Sequence, residues 1–216
     1  MVAIFVVLTF VGFLAVDYFV LKAQGKKHPA FSTYKVFDKK SFFFPEDAYL
    51  APGHTWFTRL DGGNVKIGID EFISKSLMDF KLIPLTEPGT KVKKGDYIFE
   101  AKFNDSKIRF KSPVAGTVQA VNQNLSSKVT DPYGDDWAIT LKAENMAESL
   151  NFVKTKEAAH KWLNNEFNRL KDFLDASLSE VQPVGATMHD GGNIVEGALS
   201  YLSNDAIQKF ENDFLN

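Results

Sequence analysis

The sequence predicts a small antiparallel β sandwich or barrel with a helical segment at each end of the chain. Three observations carry that expectation. Between His54 and about Asn145, short strand-forming runs alternate with turns rich in Gly and Pro. Ahead of them, Val2 to Leu21 is a run of twenty residues with one charge, Asp17. Behind them, Ala159, Leu163, Phe167, Leu170, Leu174 and Leu178 recur at spacings of three and four, the period of one helix face.

The N-terminal run, residues 1–22, reads as a transmembrane anchor, because a helix of twenty residues spans roughly 30 Å, about the thickness of a bilayer's hydrocarbon core. A cleaved signal peptide is the competing reading. It calls for a basic start and a small-residue cleavage site, whereas no Lys or Arg precedes this run and Val20-Leu21-Lys22-Ala23-Gln24 follows it. Lys22, Lys26 and Lys27 all lie after the span, so the positive-inside rule places the rest of the chain on the cytoplasmic side of a single-pass membrane protein. Asp17 is then either a carboxylate reaching toward headgroups or a contact with another membrane subunit.

Residues 23–51 read as an extended connector punctuated by Pro29 and Pro45 and carrying Phe42-Phe43-Phe44. That aromatic triplet either packs on the chain's own domain or docks on a partner. Residues 52–147 form the β domain. Asp61-Gly62-Gly63-Asn64 separates His54–Leu60 from Val65–Ile69 as a hairpin loop would, and Asp70 is placed to cap a short helix over Glu71–Met78. Asn104-Asp105 forms the tip between the runs Tyr97–Phe103 and Lys107–Lys111. Residues 148–216 form an α-helical extension, with a long helix over about 155–178, a break at Glu180–Gly185, and further helices over 193–202 and 204–215. Their apolar faces must be buried, against the β domain, each other or a partner.

Composition excludes several classes. The chain has 216 residues, a net charge of -2, 44 % hydrophobic and 24 % charged residues, ordinary values for a globular protein without a nucleic-acid partner. With no cysteine there is no disulfide, thiolate metal site or cysteine nucleophile. His28, His54, His160 and His189 are scattered without ligand spacing, and neither a phosphate-binding glycine loop nor a nucleophile elbow is present. No catalytic or metal residue is assigned, and His54 reads as a packing or hydrogen-bonding residue.

Several motifs occur together and in order. His54-Thr55-Trp56, Ile67-Gly68-Ile69-Asp70, Pro88-Gly89-Thr90, Lys94-Gly95-Asp96, Pro113-Val114-Ala115-Gly116 and Asp131-Pro132-Tyr133-Gly134-Asp135-Asp136-Trp137 span a little under half of the chain. In this combination the chain resembles the H protein of the glycine cleavage system, a lipoyl carrier. The resemblance implies a mainly β barrel-sandwich hybrid, the lipoyl-like hammerhead fold. It also implies a lipoyl lysine at a hairpin tip, and counting between Gly95-Asp96 and Ser112-Pro113 puts that position on Asp105.

The chain departs from the family at this point. The family's Glu-Ser-Val-Lys segment aligns with Lys102-Phe103-Asn104-Asp105, and a carboxylate cannot form the amide that attaches lipoate. The loop between Asn122 and Asp131 is shorter than in typical members, and both chain ends carry segments foreign to the soluble carrier. The expectation is therefore a membrane-anchored, non-lipoylated module without a cofactor, serving as a non-catalytic accessory or scaffold subunit of a membrane complex. Asp17, Phe42, Phe43 and Phe44 are its candidate partner contacts. One alternative is a lipoyl carrier using a displaced lysine, Lys107 or Lys102, although two residues along a strand moves a side chain away from the turn. A second is a periplasmic adaptor of the membrane-fusion type, which usually inserts a long coiled-coil hairpin where this chain has a short tip.

Overall fold

A computed structural model of the chain describes residues 2–23, 35–125, 129–178 and 192–216. The chain divides into two units, Met1–Lys35 and Val36–Asn216. The first contains helix α1 (Val2–Ala23), on which Ile4, Val6, Phe10, Phe13 and Phe19 are exposed. The expectation of a membrane-spanning anchor with a cytoplasmic domain is corrected: among the described residues no helix is long and apolar enough to cross a membrane. An apolar run read from the sequence is a span only where the helix sustains that apolarity across the bilayer's thickness. The side chain of Asp17 and residues Lys26, Lys27 and His28 lie outside what is described.

The second unit begins earlier than the sequence suggested. Residues 36–51, expected as connector, contain β1 (Val36–Phe37) and β2 (Ala48–Leu50), because Phe37, Phe42, Phe44, Ala48 and Leu50 are apolar enough to be drawn into the core. A six-stranded antiparallel sheet runs in the order β2, β3 (Thr55–Arg59), β4 (Asn64–Ile69), β10 (Ile139–Ala143), β9 (Gly116–Val121), β6 (Lys91–Val92). A three-stranded antiparallel sheet runs β5 (Lys81–Pro84), β7 (Tyr97–Phe103), β8 (Ser106–Lys111). Side chains alternate across each pleat, and the inward ones, such as Ile67, Ile69, Leu141, Ala101, Ile108 and Phe110, join one buried cluster. This is the barrel-sandwich arrangement the motifs implied.

Helix α2 (Glu71–Leu77) starts where expected, with the Asp70 Oδ1 accepting from the Ile73 N–H at 3.1 Å. Helices α3 (Met146–Leu150) and α4 (Lys156–Leu178) follow β10, and α4 buries Ala159, Leu163, Phe167, Leu170 and Leu174, the stripe read from the sequence. The helix expected over 193–202 does not form. Ile194 and Val195 make β11, pairing antiparallel with β1, and a short 3-10 turn over Ala198–Tyr201 follows. Two consecutive β-branched residues favour the extended backbone, and Gly197 at φ 78 breaks what remains. The predicted break at 180–185 and His189 lie outside the described residues. Helix α5 (Asn204–Phe214) starts on a Ser203 cap and buries Ile207, Phe210 and Phe214.

Candidate functional site

The hairpin of β7 and β8 closes on a two-residue loop, Asn104-Asp105, with Phe103 opposite Ser106. Asn104 takes a left-handed backbone angle, φ 47, which asparagine tolerates better than most residues. Asp105 is exposed at the apex. Lys102 and Lys107 sit directly opposite one another one step below the tip. The side chain of Lys107 forms an ion pair with Glu100 at 3.2 Å.

The tip is tied to the C-terminal segment. Asn104 Nδ2 donates to the Ser200 carbonyl at 3.1 Å, and Ser106 Oγ donates to Asn204 Oδ1 at 2.5 Å. Further down β8, Arg109 donates from Nε to Glu211 Oε1 at 3.0 Å, and Lys111 Nζ reaches Asn216 Oδ1 at 2.5 Å. The Glu211 hydrogen bond, followed by its charge, holds the Arg109 guanidinium above its usual range. Helix α5 thus lies along β8, fastened from the hairpin tip to the chain's last residue.

The residues at the tip do not fit a lipoyl group. The apical position offers a carboxylate, which has no nucleophilic nitrogen to acylate, and the residues on either side of it are hydrogen-bonded to the chain's own C-terminal segment.

A second cluster has a buried centre of His54, Asp70 and Glu166. The β3–β4 hairpin puts His54 beside Asp70, since Thr55 pairs with Ile69 and the Asp70 N–H donates to the His54 carbonyl at 3.2 Å. His54 and Asp70 are completely buried, with Nδ1 to Asp70 Oδ2 at 2.7 Å. Helix α4 supplies Glu166, whose Oε2 lies 3.7 Å from His54 Nε2, an ion-pair distance beyond hydrogen-bond length. Phe72 stacks on the imidazole at 4.3 Å, and Trp162 covers it at 4.7 Å. Arg169 donates to both Glu166 oxygens at 2.7 Å and to the Asp213 carbonyl at 2.9 Å. Two carboxylates therefore face one imidazole and one guanidinium, a neutral sum once the imidazole carries its proton.

Burial alone pushes the His54 pKa down, but Asp70 first and Glu166 second outweigh it, so the imidazolium is held above its ordinary 6.5. For Glu166, burial pushes upward and is outweighed by the His54 and Arg169 contacts, leaving its pKa lowered. Tyr133 is raised by burial and then by the Asp70 charge; its hydroxyl accepts the Glu71 N–H at 3.3 Å. His54 is thus stacked between two rings with both nitrogens facing carboxylates, a packing and hydrogen-bonding arrangement.

The sequence motifs acquire physical reasons here. Trp56 Nε1 donates to the Ile69 carbonyl at 2.8 Å, and a Cβ at Gly68 would meet the Trp56 ring at 2.8 Å. In the Asp131–Trp137 loop, Asp136 Oδ2 accepts the Thr130 and Asp131 N–H groups at 2.7 and 2.8 Å. Tyr133 packs beside Phe43, Phe44 and Trp56. Phe42 and Phe44 are buried, so of the aromatic triplet only Phe43, 60 % exposed, remains at the surface. Among the described residues no group of three or more His, Asp or Glu is placed to hold a metal ion.

Sheet order, motif loops and hairpin define a barrel-sandwich module whose β7–β8 hairpin closes on Asn104-Asp105. The comparisons agree on the class. A family model described as glycine cleavage H-protein matches residues 48–166. The protein described as a probable glycine cleavage system H protein in Thermococcus gammatolerans is 33 % identical over 124 residues, covering 56 % of this chain and 92 % of that protein. The glycine cleavage system H protein of Mycolicibacterium smegmatis is 31 % identical over 104 residues, 46 % of this chain and 79 % of that one. The crystal structure of a glycine cleavage system H protein from Mycobacterium marinum aligns with a TM-score of 0.48 at 22 % identity, covering 56 % of this chain and 99 % of that one. This chain belongs to the glycine cleavage H-protein family. That its relatives are H proteins, and that among the described residues no helix is long and apolar enough to cross a membrane, both stand against the reading as a single-pass membrane protein.

Proposed function

We propose that this chain is a non-lipoylated member of the H-protein family, acting as a non-catalytic accessory or scaffold module that engages other proteins. One observation carries the reading: the apical residue of the hairpin is Asp105, and the residues beside it are fastened to the C-terminal segment through Ser200 and Asn204. A swinging arm needs an acylable amine on a tip free to be presented to an enzyme. This tip has neither the amine at its apex nor free neighbours. The buried ionic cluster supports the same reading, since His54, Asp70 and Glu166 are buried and join the β3–β4 hairpin to α4.

The test is lipoylation in vitro. The full chain is incubated with a lipoate ligase, lipoate and ATP beside a lipoylated-competent H protein, and both are weighed as intact masses. The control gains one lipoyl group and this chain gains none. An increment mapped to Lys107 or Lys102 overturns the proposal and makes the chain a displaced-arm carrier.

A further inference from the structure

The exposed face of the three-stranded sheet carries an arrangement that folding alone does not favour. The register places Lys81 opposite Lys102 and Lys102 opposite Lys107, three lysines in one rung across β5, β7 and β8. All three side chains are exposed, and like charges directly opposite on a sheet repel. Lys107 is neutralised by Glu100. No ion pair within 4.0 Å is found for Lys81 or Lys102 among the described residues. The next rung down pairs Ile83 with Glu100 and Glu100 with Arg109, and both of those charges are already engaged, by Lys107 and Glu211.

The two unpaired lysines border a groove of about 560 Å³ whose walls also include Phe80, Ile83, Phe103 and Asn104, with Asp79 as the single carboxylate. Strand β5 forms the outer edge of its sheet, with no strand beyond it among the described residues. Pro84 leaves that edge short of a donor, so the recognition available is by side chain more than by backbone ladder. The groove therefore offers two positive charges set beside apolar surface, next to the hairpin tip.

We infer that this groove is a docking site for an extended protein segment bearing at least two carboxylates that flank an apolar side chain. The carboxylates lie over Lys81 and Lys102, and the apolar group sits on Ile83. The inference deepens the proposed accessory role by giving the chemistry of the partner. Charge complementarity selects the occupant: two uncompensated cations call for two anions, and the apolar wall favours a peptide over a free inorganic ion.

The test uses the full chain and a fluorescein-labelled hexapeptide of alternating glutamate and valine, with binding read by anisotropy. The expected result is saturable binding that weakens as salt is raised. It falls about tenfold in the Lys81→Gln/Lys102→Gln double variant, stays unchanged in Lys209→Gln, and is absent for the lysine–valine peptide. Since the double variant removes like-charge repulsion, its Tm is expected to equal or exceed that of the parent, so lost binding is not lost folding. Equal affinity of the parent and double variant overturns the inference. Displacement of the peptide by inorganic phosphate at matched ionic strength overturns it too, by showing an inorganic-anion site. Failure here leaves the lipoylation result unaffected, so the two readings fall separately.

Discussion

At the scale of single residues, His54 and Asp105 carry the account, and they act in opposite ways. Asp105 matters for a group it does not have, and His54 for the charge it is made to keep. Removing His54 leaves Asp70 and Glu166 facing each other in the interior, so His54→Ala is expected to cost about 3–5 kcal/mol, read by urea denaturation near pH 6. The pH dependence follows from the directions of the two shifts. A raised His54 pKa contributes stability that is fully present below about 6.5 and is lost as pH rises through the folded-state value. A lowered Glu166 pKa contributes stability that is present above its ordinary 4.5 and is lost as pH falls through the folded-state value. The pair together favours the interval between about 4.5 and 6.5. Tm measured from pH 5 to pH 10 should therefore show the gap between parent and His54→Gln closing as pH rises. A gap of constant size would remove the charged imidazole from the account. A third residue prediction concerns Gly68, where a methyl group has no room beside Trp56. Gly68→Ala is expected to destabilise by about 1–3 kcal/mol through overpacking, measured by thermal unfolding.

Elements show where reading the sequence succeeds. Hairpins and caps are local, so the loop 61–64, the Asp70 cap and the Asn104-Asp105 tip were legible from a few consecutive letters. The long helix was legible from its period. Residues 193–202 depart from the expected helix because a stretch of ten residues containing Ile194-Val195 can be drawn extended by a partner strand 157 to 159 positions earlier, and β1 supplies it. Glu166 was missed for the same reason, since its partner His54 lies 112 positions away. A signal was nonetheless present. Glu166 falls on the buried stripe of α4, three residues after Leu163 and four before Leu170, and Glu211 falls likewise between Ile207 and Phe214 on α5. A carboxylate on the apolar stripe of a helix implies a cation opposite it, and buried His54 and part-exposed Arg109 are those partners. Helix α5 also packs on α4 through Phe210, which meets Phe173 edge-on at 5.9 Å and stacks on Phe214 of its own helix at 4.6 Å. Phe210→Ala is expected to cost about 3–5 kcal/mol and to speed amide hydrogen exchange in β8. A destabilised variant with unchanged exchange in β8 would show that α5 does not cover the hairpin.

For the whole molecule, the family is that of the glycine cleavage H proteins, and the non-lipoylated role proposed above rests on the hairpin tip. The β domain keeps motifs that build the H-protein fold, and several have a structural reason here, from Trp56 against Gly68 to the hydrogen-bonded loop at Asp131–Trp137. The C-terminal segment, foreign to the sequence motifs, is part of the same unit as the β domain and is bound to the tip of the β7–β8 hairpin. The fold could thus be anticipated from the motifs, while the tie between tip and C-terminus could not, because it joins residues 96 and 98 positions apart through polar side chains that carry no periodic signature.

The most direct measurement is the intact mass of the protein purified gently from its native cells, together with the identity and stoichiometry of whatever accompanies it. The account predicts an unmodified chain that travels with protein partners in fixed ratio. A chain heavier by one lipoyl group, with that group on Lys107 or Lys102, would contradict it.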